Sequence, residues 1–244
     1  MPQQPVAIFA TCLVDSFYPG IGMGMVRVLD HLGVPHAFPP AQTCCGQPAF
    51  NAGFRDEARA VGRAFVRAFR GCPAIVAPSG SCVAYVRSHL PHILEGTPEH
   101  REAIGLAERT WEFSEYVVDV LQRPDVGARL RTPLRAALHN GCHAMRFGGI
   151  EQQPRRLLEN VGGLEIVDFE RAEECCGFGG LFSVKMPHIS TAMMDGKIAA
   201  LLASGVDLVL TGDAGCLMHL NGGLTRAGHS LRVRHYAELL GEAL

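Results

Sequence analysis

The residues of this sequence with the most chemistry to offer are its nine cysteines, eight of which fall into two matched sets. Cys12 is followed after 31 residues by Cys44 and Cys45, and Cys142 after 32 residues by Cys175 and Cys176. Each pair runs on into a glycine, Gly46 or Gly177, and each set closes with one more cysteine, Cys82 or Cys216. Thiolates are the soft ligands that iron–sulfur clusters and zinc require, and four is the number either demands. The expectation is therefore that Cys12, Cys44, Cys45 and Cys82 ligate one metal centre and Cys142, Cys175, Cys176 and Cys216 a second. Iron–sulfur clusters, of the 4Fe-4S type with one per half, are the first expectation; zinc in one or both sites is the alternative. Neighbouring side chains in extended chain point to opposite faces, so only a bend turns both thiolates of a pair inward, and the glycine after it supplies that bend. Cys72 has no counterpart and reads as a small buried hydrophobe.

The elements that must position these thiolates follow from the apolar patterning. Short apolar runs alternate with segments of helical period, the pattern of a parallel sheet with crossover helices and hence of an α/β fold. Strands are expected at Val6 to Ala10, Ala74 to Ala77, Arg135 to His139, Glu165 to Phe169, Asp207 to Thr211 and Leu231 to His235. Helices are expected around Met25 to Leu32, Ala58 to Phe69, Val117 to Leu121, Leu157 to Val161 and from Pro187 to Leu202. Cys12, Cys82, Cys142 and Cys216 then lie just beyond strand carboxyl ends, where open α/β sheets place their ligands.

Sliding the sequence against itself gives the domain organisation. Cys12 meets Cys142 at an offset of 130, the Cys-Cys-Gly motifs meet at 131, and Cys82 meets Cys216 at 134. Two pseudo-repeated subdomains follow, residues 1–125 and 126–244, each a small, mostly parallel sheet flanked by helices with metal at the strand carboxyl ends.

Composition narrows the function further. With 22 Lys and Arg against 24 Asp and Glu there is no basic surface to gather phosphates, which argues against nucleic acid as a partner. No stretch reaches the roughly 18 apolar residues of a membrane span, and MPQQPVAIFATCLVD lacks the basic and apolar regions of a secretory leader. A cytoplasmic location is expected, and there thiols stay reduced, so the cysteines are not read as disulfides. His143 and His219, beside Cys142 and Cys216, either tune a centre or are polar groups at its rim. Gly20, Gly22 and Gly24 follow no strand directly and are not read as a nucleotide loop. Met23, Met25, Met186, Met193 and Met194 read as core filler or docking surface, and RDEAR at 55–59 as a solvated helix face.

The segments FATCLVDSFYPGIGMGMV, CCGQPAFNAG, APSGSC, CCGFGGLFSVKMPHIS and DAGCLMHLNGG resemble those of the cysteine-rich CCG-domain iron–sulfur proteins, and among them the lactate-utilisation protein A family, nearly end to end. The resemblance implies an electron-transfer subunit of a complex that oxidises L-lactate, or a similar 2-hydroxy acid, to pyruvate. It also implies partnership with an iron–sulfur subunit and an accessory protein. The family pattern closes with Cys-x-x-Cys; here Ser79 and Asp213 stand at the first position of that pair. With His143 they are candidates for tuning the centres, and their presence favours four-thiolate over five-thiolate clusters. Two readings of other kinds stay open: a structural zinc scaffold, and a thiol or disulfide oxidoreductase like the heterodisulfide reductase relatives.

Overall fold

The computed structural model describes residues 4–244; the first three, which belong to the 1–125 half and to the stretch read for a leader, lie outside the described residues. The described residues form eight strands: β1 (Val6–Ile8), β2 (His36–Ala37), β3 (Ile75–Ala77), β4 (Thr110–Glu112), β5 (Arg129–His139), β6 (Gly162–Val167), β7 (Leu208–Thr211) and β8 (Val233–His235). They make two four-stranded parallel sheets of order β2-β1-β3-β4 and β6-β5-β7-β8. The orders are the same once the second half is read onto the first, so the repeat in the cysteines is a repeat of topology.

Central strands buried on both faces need apolar residues throughout. VAI in β1, IVA in β3 and LVLT in β7 meet that need and are fully buried. The expected strands are all present with shifted ends: the first stops at Ile8, β5 begins earlier at Arg129, β6 runs from Gly162 to Val167, and β8 starts at Val233. β2 and β4, of two and three residues, are additional. The expected helices appear as Pro19–His31, Arg55–Phe69, Gln152–Leu158 and Pro187–Ala203. Around Val117 a three-residue helix runs into a wider π turn over Tyr116–Val120. In the Arg55–Phe69 helix, Arg59 pairs with Asp56 on the solvated face at 3.3 Å.

One hydrophobic core joins the halves: Val14, Ile21 and Met25 from the first lie in the same cluster as Leu217, Tyr236 and Leu240 from the second. A smaller core, built around Phe9, Phe65 and Phe69, covers the other face of the first sheet. The glycines of PGIGMGM sit inside the Pro19–His31 helix, where they permit close packing rather than phosphate binding. A Cβ on Gly24 would collide with the Ala237 carbonyl and lie 2.7 Å from Glu238 Cα, and one on Gly241 would lie 2.7 Å from Gly24 Cα. The Pro19–His31 helix thus crosses the C-terminal Tyr236–Glu242 helix backbone to backbone. Met25 and Met194 are core residues, whereas Met23 and Met186 are exposed. No helix among the described residues is long and apolar enough to cross a membrane.

Candidate metal centre

Each lone cysteine opens a helix directly after a strand. Cys12 is the first residue of the Cys12–Phe17 helix after β1, and Cys142 the first of Cys142–Gly148 after β5. Cys82 and Cys216 are the third residues of Gly80–Ser88 after β3 and Ala214–Arg226 after β7. A helix N-terminus presents free N–H groups and positive potential to an anionic group lying against it.

The helices also pair across the halves. Gly80 packs on Ala144, a Cβ there coming within 2.5 Å of the alanine methyl, so the helix bearing Cys82 lies against the helix that begins at Cys142. The helix that begins at Cys12 likewise abuts the one bearing Cys216. In consequence all eight repeated cysteines line a single cavity of about 200 Å³ between the halves. The sequence led to two centres, one per half; the residues expected to hold both line this one cavity.

Within each half the sulfurs are in contact. Cys12 Sγ lies 3.7 Å from Cys44 Sγ, Cys142 Sγ 3.6 Å from Cys175 Sγ, and Cys176 Sγ 3.3 Å from Cys216 Sγ. The glycine after each pair adopts the left-handed conformation, φ +102° at Gly46 and +91° at Gly177. That bend aims the glycine N–H back at the first thiol of the pair, 3.4 Å from Cys44 Sγ and 3.3 Å from Cys175 Sγ. Thiol protons donated by Cys12 and then Cys45 hold Cys44 well below its ordinary range, at about 3. Cys142 and Cys176 do the same for Cys175, while the donors Cys12 and Cys142 are pushed up. The direction is the same at the matching position of the two halves.

Ser79 and Asp213 occupy N-cap positions of the two helices bearing the closing cysteines. Ser79 Oγ accepts the Cys82 N–H at 3.5 Å. Asp213 is held more tightly: Oδ1 accepts the Gly215 N–H at 3.1 Å, and Oδ2 accepts the Ser81 N–H of the other half at 3.0 Å. Serine and aspartate are good caps, which accounts for their chemistry at this slot. His143 Nδ1 is 3.6 Å from Cys142 Sγ and its ring lies tilted against Phe147. His219 is placed differently, its Nε2 3.2 Å from Ser190 Oγ, whose hydroxyl donates to the Gly177 carbonyl at 2.8 Å. It buttresses the bend after the second pair. Cys72 lies three residues before β3, at the opposite end of the strand from Cys82, and is not among the cavity residues.

Three residues of this region escaped the sequence reading. His139, at the end of β5, is fully buried, and burial pushes its imidazole down to about 3. Lys197, also fully buried, donates from Nζ to the carbonyls of Arg171 and Ala172 under the second set, and burial lowers it to about 8. Tyr85 is buried beside the first pair, its hydroxyl 3.2 Å from where a Cβ on Gly46 would stand. His139 was detectable, since it stands three residues before Cys142 where Phe9 stands three before Cys12. The donor set of clustered thiolates, with glycine N–H groups directed at sulfur, fits a thiolate-ligated metal centre in either half.

Comparison with known proteins agrees with this geometry. The model of the CCG cysteine-rich domain matches twice, over residues 6–87 and 136–221. A protein named lactate utilization protein A from Geobacillus kaustophilus is 46% identical over 236 residues, 96% of this chain and 98% of the relative. Its namesake from an Exiguobacterium strain is 43% identical over 242 residues, 98% of each chain. A solved Helicobacter pylori hypothetical protein shares the fold with a TM-score of 0.64 at 11% identity, covering 100% of this chain, which spans 49% of that structure. The two repeated Cys-Cys-Gly bends and the end-to-end identity together make this chain a member of the CCG cysteine-rich domain family, within its lactate utilization protein A group.

Proposed function

We propose that the chain is a cytoplasmic iron–sulfur electron-transfer subunit of a complex that oxidises lactate, or a similar 2-hydroxy acid, working with an iron–sulfur subunit and an accessory protein. The observation that carries this reading is the meeting of both four-cysteine sets in one cavity. Oxidising lactate to pyruvate releases two electrons and two protons, and iron–sulfur clusters, when bound, carry electrons singly. Two adjoining centres suit the transit of such a pair to an acceptor. Cys12, Cys44, Cys45 and Cys82 would hold one centre and Cys142, Cys175, Cys176 and Cys216 the other. Gly46 and Gly177 direct N–H groups at sulfur; the hydrogen bond to Cys175 raises Cys142 and burial raises Cys216, and the negative charge of Asp213 adds to both.

A second reading, zinc in place of clusters, is favoured by one observation. Four thiolates about 2.3 Å from a tetrahedral zinc stand about 3.8 Å apart, close to the sulfur contacts in each half. The test is anaerobic reconstitution with ferrous iron and sulfide, followed by metal and sulfide analysis. Brown protein that bleaches with dithionite, with iron and sulfide in both halves, is the expected result. Its thermal stability should fall when the metal is chelated. Colourless protein holding stoichiometric zinc after the same treatment would replace the electron-transfer reading with a scaffold.

A further inference from the structure

We propose that His139 is a nitrogen ligand of the second metal centre, so that the two halves hold their metals with different donor sets. The proposal rests on the reading that the repeated cysteines bind metal. A ring nitrogen of His139 and the sulfurs of Cys176 and Cys216 all lie within 4.8 Å of one another. The residue is fully buried, and neither ring nitrogen has a hydrogen-bond partner among the described residues. An imidazole withdrawn from water without partners is costly, and native proteins rarely leave one so. Here the missing partner lies where the second set of sulfurs converges, and neutral imidazole is a strong ligand for iron and zinc alike.

The first half argues the same point by contrast. Phe9 holds the equivalent place and packs edge-on against Phe65 and Phe69, with ring centroids 5.2 and 5.4 Å away. Packing alone is thus met by a phenyl ring. Thr211, register partner of His139, is a second buried polar group without a partner, and its counterpart five residues before Cys82 is Ala77. The floor of the second site is polar where that of the first is apolar. Asp213, the oxygen donor nearest in sequence to Cys216, has both carboxylate oxygens engaged by backbone N–H groups. Between the carboxylate and the imidazole, His139 is the donor left uncommitted.

The test uses the full chain loaded anaerobically with ferrous iron and sulfide, reduced with dithionite and studied by electron-spin-echo envelope modulation. Wild-type protein should show a nitrogen coupling that changes on labelling histidine alone with a nitrogen isotope. The coupling should vanish in His139→Phe, which copies the first half, and persist in His143→Ala. Should His139→Phe fail to fold, His139→Ala serves, and added imidazole should restore the coupling. A coupling that survives removal of His139, or is absent from wild-type protein with iron in both halves, overturns the proposal. Wild-type protein that takes up zinc but no iron would sink the cluster reading separately. In that case zinc-edge absorption showing only sulfur neighbours overturns the proposal too, and a nitrogen neighbour lost in His139→Phe supports it.

Discussion

Asp213 of the second half accepts the backbone N–H of Ser81 in the first, Oδ2 to N 3.0 Å, while its other oxygen caps the helix that bears Cys216. One carboxylate thus ties the two halves together, caps a ligand helix and sets a negative charge beside Cys142 and Cys216. Asp213→Asn keeps an acceptor for the cap but removes the charge. Because negative charge favours the oxidised state of a nearby cluster, the variant should raise the reduction potential of the second centre. Asp213→Ala should in addition cost about 1–2 kcal/mol in a denaturant melt through loss of the cap. Ser79→Ala, which gives up two long 3.5 Å contacts, with the Cys82 N–H and the Ser81 hydroxyl, and no charge, should do less on both counts. Redox titration followed by paramagnetic resonance decides the matter. Unchanged potentials in Asp213→Asn would refute the charge argument.

The first centre has its own polar neighbour in Tyr85, whose buried hydroxyl lacks a partner among the described residues. Burial, then the charges of Cys45 and Cys44, pushes this phenol well up, in the direction that keeps its proton, so it is a donor. A donor to sulfur raises a cluster's potential. Tyr85→Phe should therefore lower the potential of the first centre and leave the second unmoved, in the same titration.

The helix crossing at Gly24 leaves no room for a side chain. Gly24→Ala drives a methyl into the Ala237 carbonyl and Glu238 Cα, backbone atoms that cannot swing aside. A loss of roughly 1–3 kcal/mol or more is expected from thermal unfolding. Gly22→Ala, in the same helix but meeting only ordinary contact with Val14 at 3.6 Å, is the control and should be neutral or slightly stabilising.

Glu112 gives a pH dependence of defined sign. Burial raises its carboxyl from 4.5 to about 7, against the pull of hydrogen bonds donated by Ser114 and Tyr236, the latter at 2.5 Å. The folded state holds this proton more tightly than the unfolded one. Its contribution is full below pH 4.5 and lost as pH rises through about 7, up to about 3 kcal/mol in all. Glu112→Gln should flatten the stability profile in that window, and an unchanged slope would count against it.

Cys72→Ala should keep full metal content and lose only the modest stability of a small, partly buried side chain. Iron analysis of the reconstituted variant checks this; loss of a centre would make Cys72 a ligand.

The ligand candidates and the strands leading to them were legible because both are local patterns: a spacing of thiols, a run such as LVLT, a glycine after a pair. β2 and β4 were not legible, since two or three residues carry no period and His36 and Ala37 are strand only through pairing with Val6 and Ala7. Nor was the union of both cysteine sets in one cavity. That depends on contacts such as Gly80 on Ala144 and Ser81 on Asp213, whose residues are far apart in sequence and individually unremarkable. Lys197 escaped for a related reason: a lysine in a helix reads as solvated, and only the fold shows its ammonium turned inward to two carbonyls.

The backbone crossing of Pro19–His31 with Tyr236–Glu242 bears on the order in which the protein is made. Ile21 and Met25 of the first half are buried in a core completed by Leu239 and Leu240 of the second. Chains emerge from the ribosome N-terminus first, so during synthesis the first half has all four of its thiols long before the helix that closes over it exists. Until Cys216 and its helix have been translated, the wall of the cavity beside Cys12 stays open. Metal delivered to the nascent chain before then would meet an incomplete site, and maturation of the finished cavity follows synthesis of both halves.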